Sequence, residues 1–170
     1  GLLATLEAAP EHEGGGRFRA VPHAALRAFA RIYAGWAMSQ DWYRAGLHLR
    51  SATDLDDFLD REWEPGFTRR DAANLYAQAR TWEEADIAAN EPYDGDLDRA
   101  LAAIRARVLL LPGETDLYFR VADNEAELAH LRDAALRPIP SIWGHRAGAP
   151  STVPADERFL RDAVRELLDG

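Results

Sequence analysis

The chain has 170 residues, 47% hydrophobic and 29% charged, with 20 basic against 29 acidic side chains and a net charge of -9. A chain of this length can bury most of the apolar surface its unfolded form exposes, and its negative field repels phosphate backbones and anionic lipid headgroups, which weighs against nucleic-acid and membrane-surface roles. It contains no cysteine, so disulfides, thiolate nucleophiles and cysteine-ligated zinc are excluded as well.

Leu2 to Ala9 reads as the last turns of a helix, and Gly14, Gly15 and Gly16 as a flexible connector. Pro22 suits the first turn of a helix whose Leu26, Phe29, Ala30, Tyr33, Trp36 and Ala37 recur on one side. Ser39 can cap a second helix carrying Trp42, Tyr43, Gly46 and Leu47. Thr53 or Asp54 can start a third with Leu55, Phe58, Leu59 and Trp63, ended by Pro65 and Gly66. Thr68 and Asp71 resemble a capping box ahead of a fourth, striped by Ala72, Leu75, Tyr76 and Ala79. These successive helices, with no strand among them, predict a helical layer.

The segment 82–94 is acidic and irregular. Its Glu83, Glu84 and Asp86 could be paired carboxylates or hard-metal ligands, but such runs usually form a solvated face. Asp96 can cap a helix through Leu97, Ala100, Leu101 and Ile104. The short apolar run Val108 to Leu111 then reads as a parallel strand covered on both faces, stopped by Pro112 and Gly113. A helix after Asp123 carries Ala126, Leu128, Leu131 and Ala135. A second short strand is expected at Ser141 to Trp143, and a closing helix opens at Pro154 and Asp156. The boundary falls near Asp94: 1–93 is a helical region with an N-terminal connector, and 94–170 is an α/β segment with parallel strands and flanking helices.

Asp116 follows the first strand and His145 the second. Side chains at the carboxyl ends of neighbouring parallel strands can meet, and a histidine that works as a general base needs a carboxylate to fix its tautomer. Each residue also has an ordinary reading, since loop Asp and Gly-His commonly just form turns. His12, His23, His48 and His130 lack a partnered motif and read as structural. None of Ser39, Ser51, Ser141 and Ser151 stands in a Gly-Xaa-Ser-Xaa-Gly turn; Ser39 and Ser51 read as caps, Ser141 as strand and Ser151 as loop.

GWAMSQDWYR at Gly35 to Arg44, DAANLYAQARTWEEADIAAN at Asp71 to Asn90, IRARVLLLPGETDLYF at Ile104 to Phe119 and SIWGHRAG at Ser141 to Gly148 resemble the C-terminal half of α/β-hydrolases related to homoserine O-acetyltransferase. The resemblance implies the C-terminal part of an α/β-hydrolase fold preceded by a helical lid over 22–80. It further implies a Ser-Asp-His enzyme that forms an acyl-serine from an ester or thioester and passes the acyl group to an alcohol or to water. Asp116 then matches the triad acid and His145 the general base, with the nucleophile expected upstream of Gly1. No cofactor is implied, although acyl-CoA could serve as donor substrate. Homodimerisation or association with the missing N-terminal half is the expected partnership.

In homoserine acetyltransferases the residue after the catalytic His is typically an Asp, and here it is Arg146, which favours a hydrolase-like relative. Trp36, Trp42, Trp63 and Trp82 could line an acyl tunnel, though aromatics at helical spacing are more often core. The alternative is a non-enzymatic helical binding module derived from a hydrolase fold. No apolar run reaches the roughly 18 residues of a membrane span, and no signal-like N-terminus is present, so a cytoplasmic protein is expected. The first residue is Gly1 and the only methionine is Met38, so the start reads as a cut or processed end.

Overall fold

A computed structural model of the chain describes residues 1–149 and 153–169; Ser151 lies outside them. In chain order the elements are helix α1 (Leu2–Glu7), strands β1 (His12–Gly14) and β2 (Arg17–Phe18), helices α2 (His23–Ala37) and α3 (Gln40–Arg44), and a 3-10 turn at Leu47–Arg50. Helix α4 (Leu55–Phe58), a π turn (Leu59–Trp63), α5 (Glu64–Thr68), α6 (Ala72–Glu84) and α7 (Leu97–Ala102) follow. Strand β3 (Val108–Leu110), helix α8 (Val121–Leu128), strand β4 (Ala134–Leu136), a 3-10 turn at Gly144–Arg146 and helix α9 (Pro154–Asp169) complete the order. The residues form two compact units: Gly1–Gly35 with Ala45–Ala85, and Trp36–Arg44 with the chain from Asp86 onward.

In the first unit, α2 buries Leu26, Phe29, Ala30 and Ala34, which recur three or four residues apart as one face of a helix requires. The glycine connector is not a free linker. It turns a short antiparallel hairpin that pairs His12 with Phe18 and Gly14 with Arg17. Gly16 has φ 75° and lies so close to the Tyr76 ring that an added Cβ would come within 2.5 Å of it, so glycine serves there both for conformation and for space.

Pro65 and Gly66 do not end the third helix, as expected from their types. The chain passes through the π turn and continues as α5 to Thr68. The wider turn relieves the clash of the Pro65 ring with the preceding carbonyls, and Pro65 sits at the start of α5, where its missing N–H costs nothing. Thr68 is therefore the end of α5, its hydroxyl donating to the Glu64 carbonyl, and Asp71 is the cap of α6, accepting from the Asn74 N–H at 2.8 Å.

In the second unit, Ser39 Oγ accepts the Trp42 N–H at 3.0 Å and caps α3, while Asp96 caps α7 through the Arg99 N–H. β3 and β4 are parallel, with Val108 opposite Ala134, Leu109 opposite Ala135 and Leu110 opposite Leu136. The second strand is thus not Ser141 to Trp143. Arg137 and Ile139 donate to the Leu110 and Pro112 carbonyls, and a last parallel bridge joins Gly113 to Ile139. Pro138 and Pro140 occupy the alternate positions whose N–H would face away from β3, where the missing donor leaves the ladder intact. Leu131 and Ala135 fall outside α8, which ends at Leu128. Ile139 and Ala163 are buried, and α9 leaves Val164 and Leu168 exposed.

Candidate active site

Beyond β3 the chain turns at once. The Asp116 N–H donates to the Gly113 carbonyl at 3.0 Å, and the Glu114 N–H to the Ile139 carbonyl at 2.9 Å. This places the Asp116 carboxylate inward, 8% exposed. Its Oδ1 accepts the backbone N–H groups of Tyr118 at 2.7 Å and Phe119 at 3.3 Å. Its Oδ2 lies 3.1 Å from Nδ1 of His145, which the 3-10 turn Gly144–Arg146 presents.

The two residues singled out by the sequence are therefore brought together, although His145 reaches Asp116 from an irregular loop rather than from the end of a strand at 141–143. An ionised carboxylate can only accept, so the neutral imidazole facing it carries its proton on Nδ1 and keeps the lone pair on Nε2. That is the tautomer a general base requires.

Aromatic rings surround the imidazole. Tyr118 meets it edge-on with centroids 4.8 Å apart, Phe119 lies at 5.5 Å, and Trp36 stands 6.0 Å beyond Tyr118. A cavity of about 470 Å³ opens beside the pair, walled by Leu111, Pro112 and Phe119 and by Asp123, Asn124 and Glu127 of α8. Tyr118 and Phe119 had no role in the sequence reading. The signal available was their position two and three residues after an Asp, where the backbone N–H groups fold back onto the carboxylate.

The other candidates have local occupations. In the unit that carries His145 the described serines are Ser39 and Ser141. Ser39 Oγ donates to the Ile142 carbonyl, Ser141 Oγ accepts the Trp143 N–H, and neither bonds the imidazole. His130 faces Asp98 at 3.4 Å, and His12 lies against Phe18 and Tyr76. Glu83 and Glu84 pair with Arg80, and Asp86 accepts the Ala88 N–H. Trp42 and Trp63 are core residues, whereas Trp36 and Trp82 are half exposed. Among the described residues no group of three or more His, Asp or Glu could hold a metal ion, and no helix is long and apolar enough to cross a membrane.

Parallel strands flanked by helices, with an acid loop and a histidine loop meeting beyond the sheet, are the C-terminal part of the α/β-hydrolase fold, and this chain has that fold. It is 32% identical over 152 residues to a probable esterase of Corynebacterium glutamicum, a match that takes in 85% of this chain and 41% of that protein. It is 28% identical over 123 residues to an ethyl acetate hydrolase of Pseudomonas veronii, covering 72% of this chain and 35% of that one.

Among solved structures, the acetyl esterase MekB superposes with a TM-score of 0.90 at 26% identity, over 99% of this chain and 49% of its own. Homoserine O-acetyltransferase from Bacillus anthracis, at 21% identity and a TM-score of 0.77 over 99% of this chain and 47% of its own, shares the fold. The chain thus spans less than half the length of these proteins. No family model matches it.

Proposed function

We propose that this chain supplies the acid and the general base of a serine-dependent esterase acting on small acyl esters, with the attacking serine carried by residues outside this sequence. The observation that supports it is the 3.1 Å approach of Asp116 Oδ2 to His145 Nδ1, with Oδ1 held by two backbone donors so that Oδ2 is left for the ring. His145 Nε2 takes the serine proton as the oxygen attacks the ester carbonyl. Asp116 stabilises the imidazolium, and the same proton then passes to the departing alcohol. Water, activated by the same base, releases the acid and restores the serine. The sequence relatives named as a probable esterase and an ethyl acetate hydrolase, together with Arg146 in place of an acidic residue, favour water over an alcohol as the acceptor.

The test is a serine-directed fluorophosphonate probe and an acetyl-ester hydrolysis assay, applied to this chain and to the longer polypeptide of the same reading frame. The longer polypeptide should be labelled and active, and this chain alone should be neither. In the longer polypeptide His145→Ala and Asp116→Asn should each lower kcat by roughly 10⁴-fold. Labelling of this chain alone, an upstream frame without a serine turn, or full activity in His145→Ala would overturn the proposal.

A further inference from the structure

We infer that the hydroxyls of Thr115 and Ser39 grip the loop bearing His145 at two consecutive carbonyls and act as positioning residues for its imidazole. The inference rests on the reading of Asp116 and His145 as acid and base, and it concerns how the second is held against the first. Among the described residues the His145 ring has one hydrogen-bonding partner, the Asp116 carboxylate, and its side chain is about a third exposed. It sits beyond the end of the β3–β4 ladder, whose last bridge is at Ile139. From Ser141 to Arg146 no strand pairing with the described residues fixes the backbone, so the ring can be no better placed than the loop that carries it.

Two side chains from distant parts of the sequence hold that loop. Thr115 Oγ1 donates to the Ser141 carbonyl at 2.9 Å and accepts the Gly144 N–H at 3.2 Å, spanning the loop on both sides of Ile142 and Trp143. Ser39 Oγ donates to the Ile142 carbonyl at 2.5 Å while accepting the Trp42 N–H, and Ser39 is 1% exposed. Thr115 is covalently next to Asp116. Any slide of the histidine loop relative to the acid therefore breaks both of its bonds.

The backbone packs to match. Gly144 has φ 58°, and a Cβ there would come within 2.7 Å of the Ser39 nitrogen and 3.0 Å of the Ala37 carbonyl. On the acid side, a Cβ on Gly113 would come within 2.7 Å of the Gly144 carbonyl. The residue before His145 is thus enclosed between the acid loop and the segment before α3. A buried hydroxyl that satisfies a loop carbonyl is worth keeping for the fold alone. What marks these two as positioning residues is that both act on the stretch ending at His145, from distant parts of the sequence, one of them tied to the acid. Misplacement by an ångström at such a site is enough to lose catalysis.

The test reads the imidazole directly. In ¹⁵N-histidine-labelled chain, long-range ¹H–¹⁵N spectra report which ring nitrogen of neutral His145 carries the proton, with His145→Ala assigning it among the five histidines. Wild type should show the Nδ1–H form, and Asp116→Ala should revert to the Nε2–H form that a free imidazole prefers. Thr115→Val, which keeps the side-chain shape, and Ser39→Ala should each lower the Nδ1–H fraction at least twofold, with Thr115→Ser restoring it.

Arg137→Ala removes the Arg137–Glu166 pair elsewhere in the same unit and should leave the fraction unchanged. If Asp116→Ala has no effect, the acid–base reading itself fails. If Asp116→Ala acts but either folded hydroxyl variant leaves the fraction at its wild-type value, or if Arg137→Ala lowers it equally, the positioning inference is overturned. Should Ser39→Ala not fold, Thr115→Val alone decides.

Discussion

A single added methyl group measures how tightly the histidine loop is enclosed. At Gly144 it would meet the backbone atoms of Ala37, Met38 and Ser39 in a left-handed conformation that L-residues adopt at a cost of roughly 1–2 kcal/mol. Backbone cannot swing aside as a side chain can, so Gly144→Ala should destabilise by about 2–4 kcal/mol in urea denaturation. Gly35 offers the contrast. It lies in α2 with open space around its Cβ position, so Gly35→Ala should stabilise by about 0.5–1 kcal/mol. At this scale the meeting of Asp116 with His145 was legible from their residue types and loop positions, although each also had an ordinary reading as a turn residue and the strand expected before His145 is absent. The hydroxyls of Thr115 and Ser39 were not. Ser39 has a correct local explanation as the cap of α3, which hides its second bond to a carbonyl 103 residues away. Long-range partners leave no periodic trace in a sequence.

At the scale of elements, α2 is tied to α4, the π turn and α5 by charge. Glu64 is 7% exposed and receives Arg27 Nε and Arg31 Nε, each at 2.6 Å, while Arg31 also reaches Asp56 at 2.8 Å and Asp60 at 2.5 Å. Burial alone would push the Glu64 carboxyl up, but the hydrogen bonds from Arg31 and then Arg27 outweigh it and hold the group below the usual carboxylate range. A carboxyl lowered in the folded state contributes stability that is complete above its unfolded pKa of roughly 4.3 and is lost as pH falls through the folded value. Thermal unfolding followed from pH 7 to pH 3 should therefore show a loss below about pH 4 that is smaller in Glu64→Gln. At pH 7 the same variant should cost about 1–3 kcal/mol, less than a fully buried pair because Arg27 is half exposed.

Pro65 and β4 show why element boundaries were harder to read than element types. A proline ends a regular helix, but not one already widened by a π turn. Ala134 to Leu136 has helix-favouring residues and only three positions, so nothing local marks it as a strand. Its identity comes from the bonds that Val108 and Leu110 make across to it.

For the whole molecule, the sheet is the feature that the sequence conveyed least completely. Among the described residues β3 has one strand neighbour, β4. The Val108 N–H and the Leu110 carbonyl point toward β4, so the N–H and carbonyl of Leu109 point the other way. Val108, Leu109 and Leu110 are only half-buried, whereas an apolar parallel strand is stable when covered on both faces and paired on both sides. Such an edge is a template for another strand.

The net charge of -9 opposes self-association, but this repulsion is screened as the Debye length shrinks from about 10 Å at 0.1 M salt to about 3 Å at 1 M. The chain should therefore associate with rising concentration in sedimentation velocity, and more strongly at high salt. Leu109→Pro removes the outward donor without touching a bond to β4, and it should restore a monomer under the same conditions. If the wild-type chain sediments as a monomer across the concentration range at 1 M salt, the edge does not drive association. If it associates and Leu109→Pro, still folded, associates equally, the contact lies elsewhere on the surface, and the exposed Val164 and Leu168 of α9 are the apolar positions to vary next.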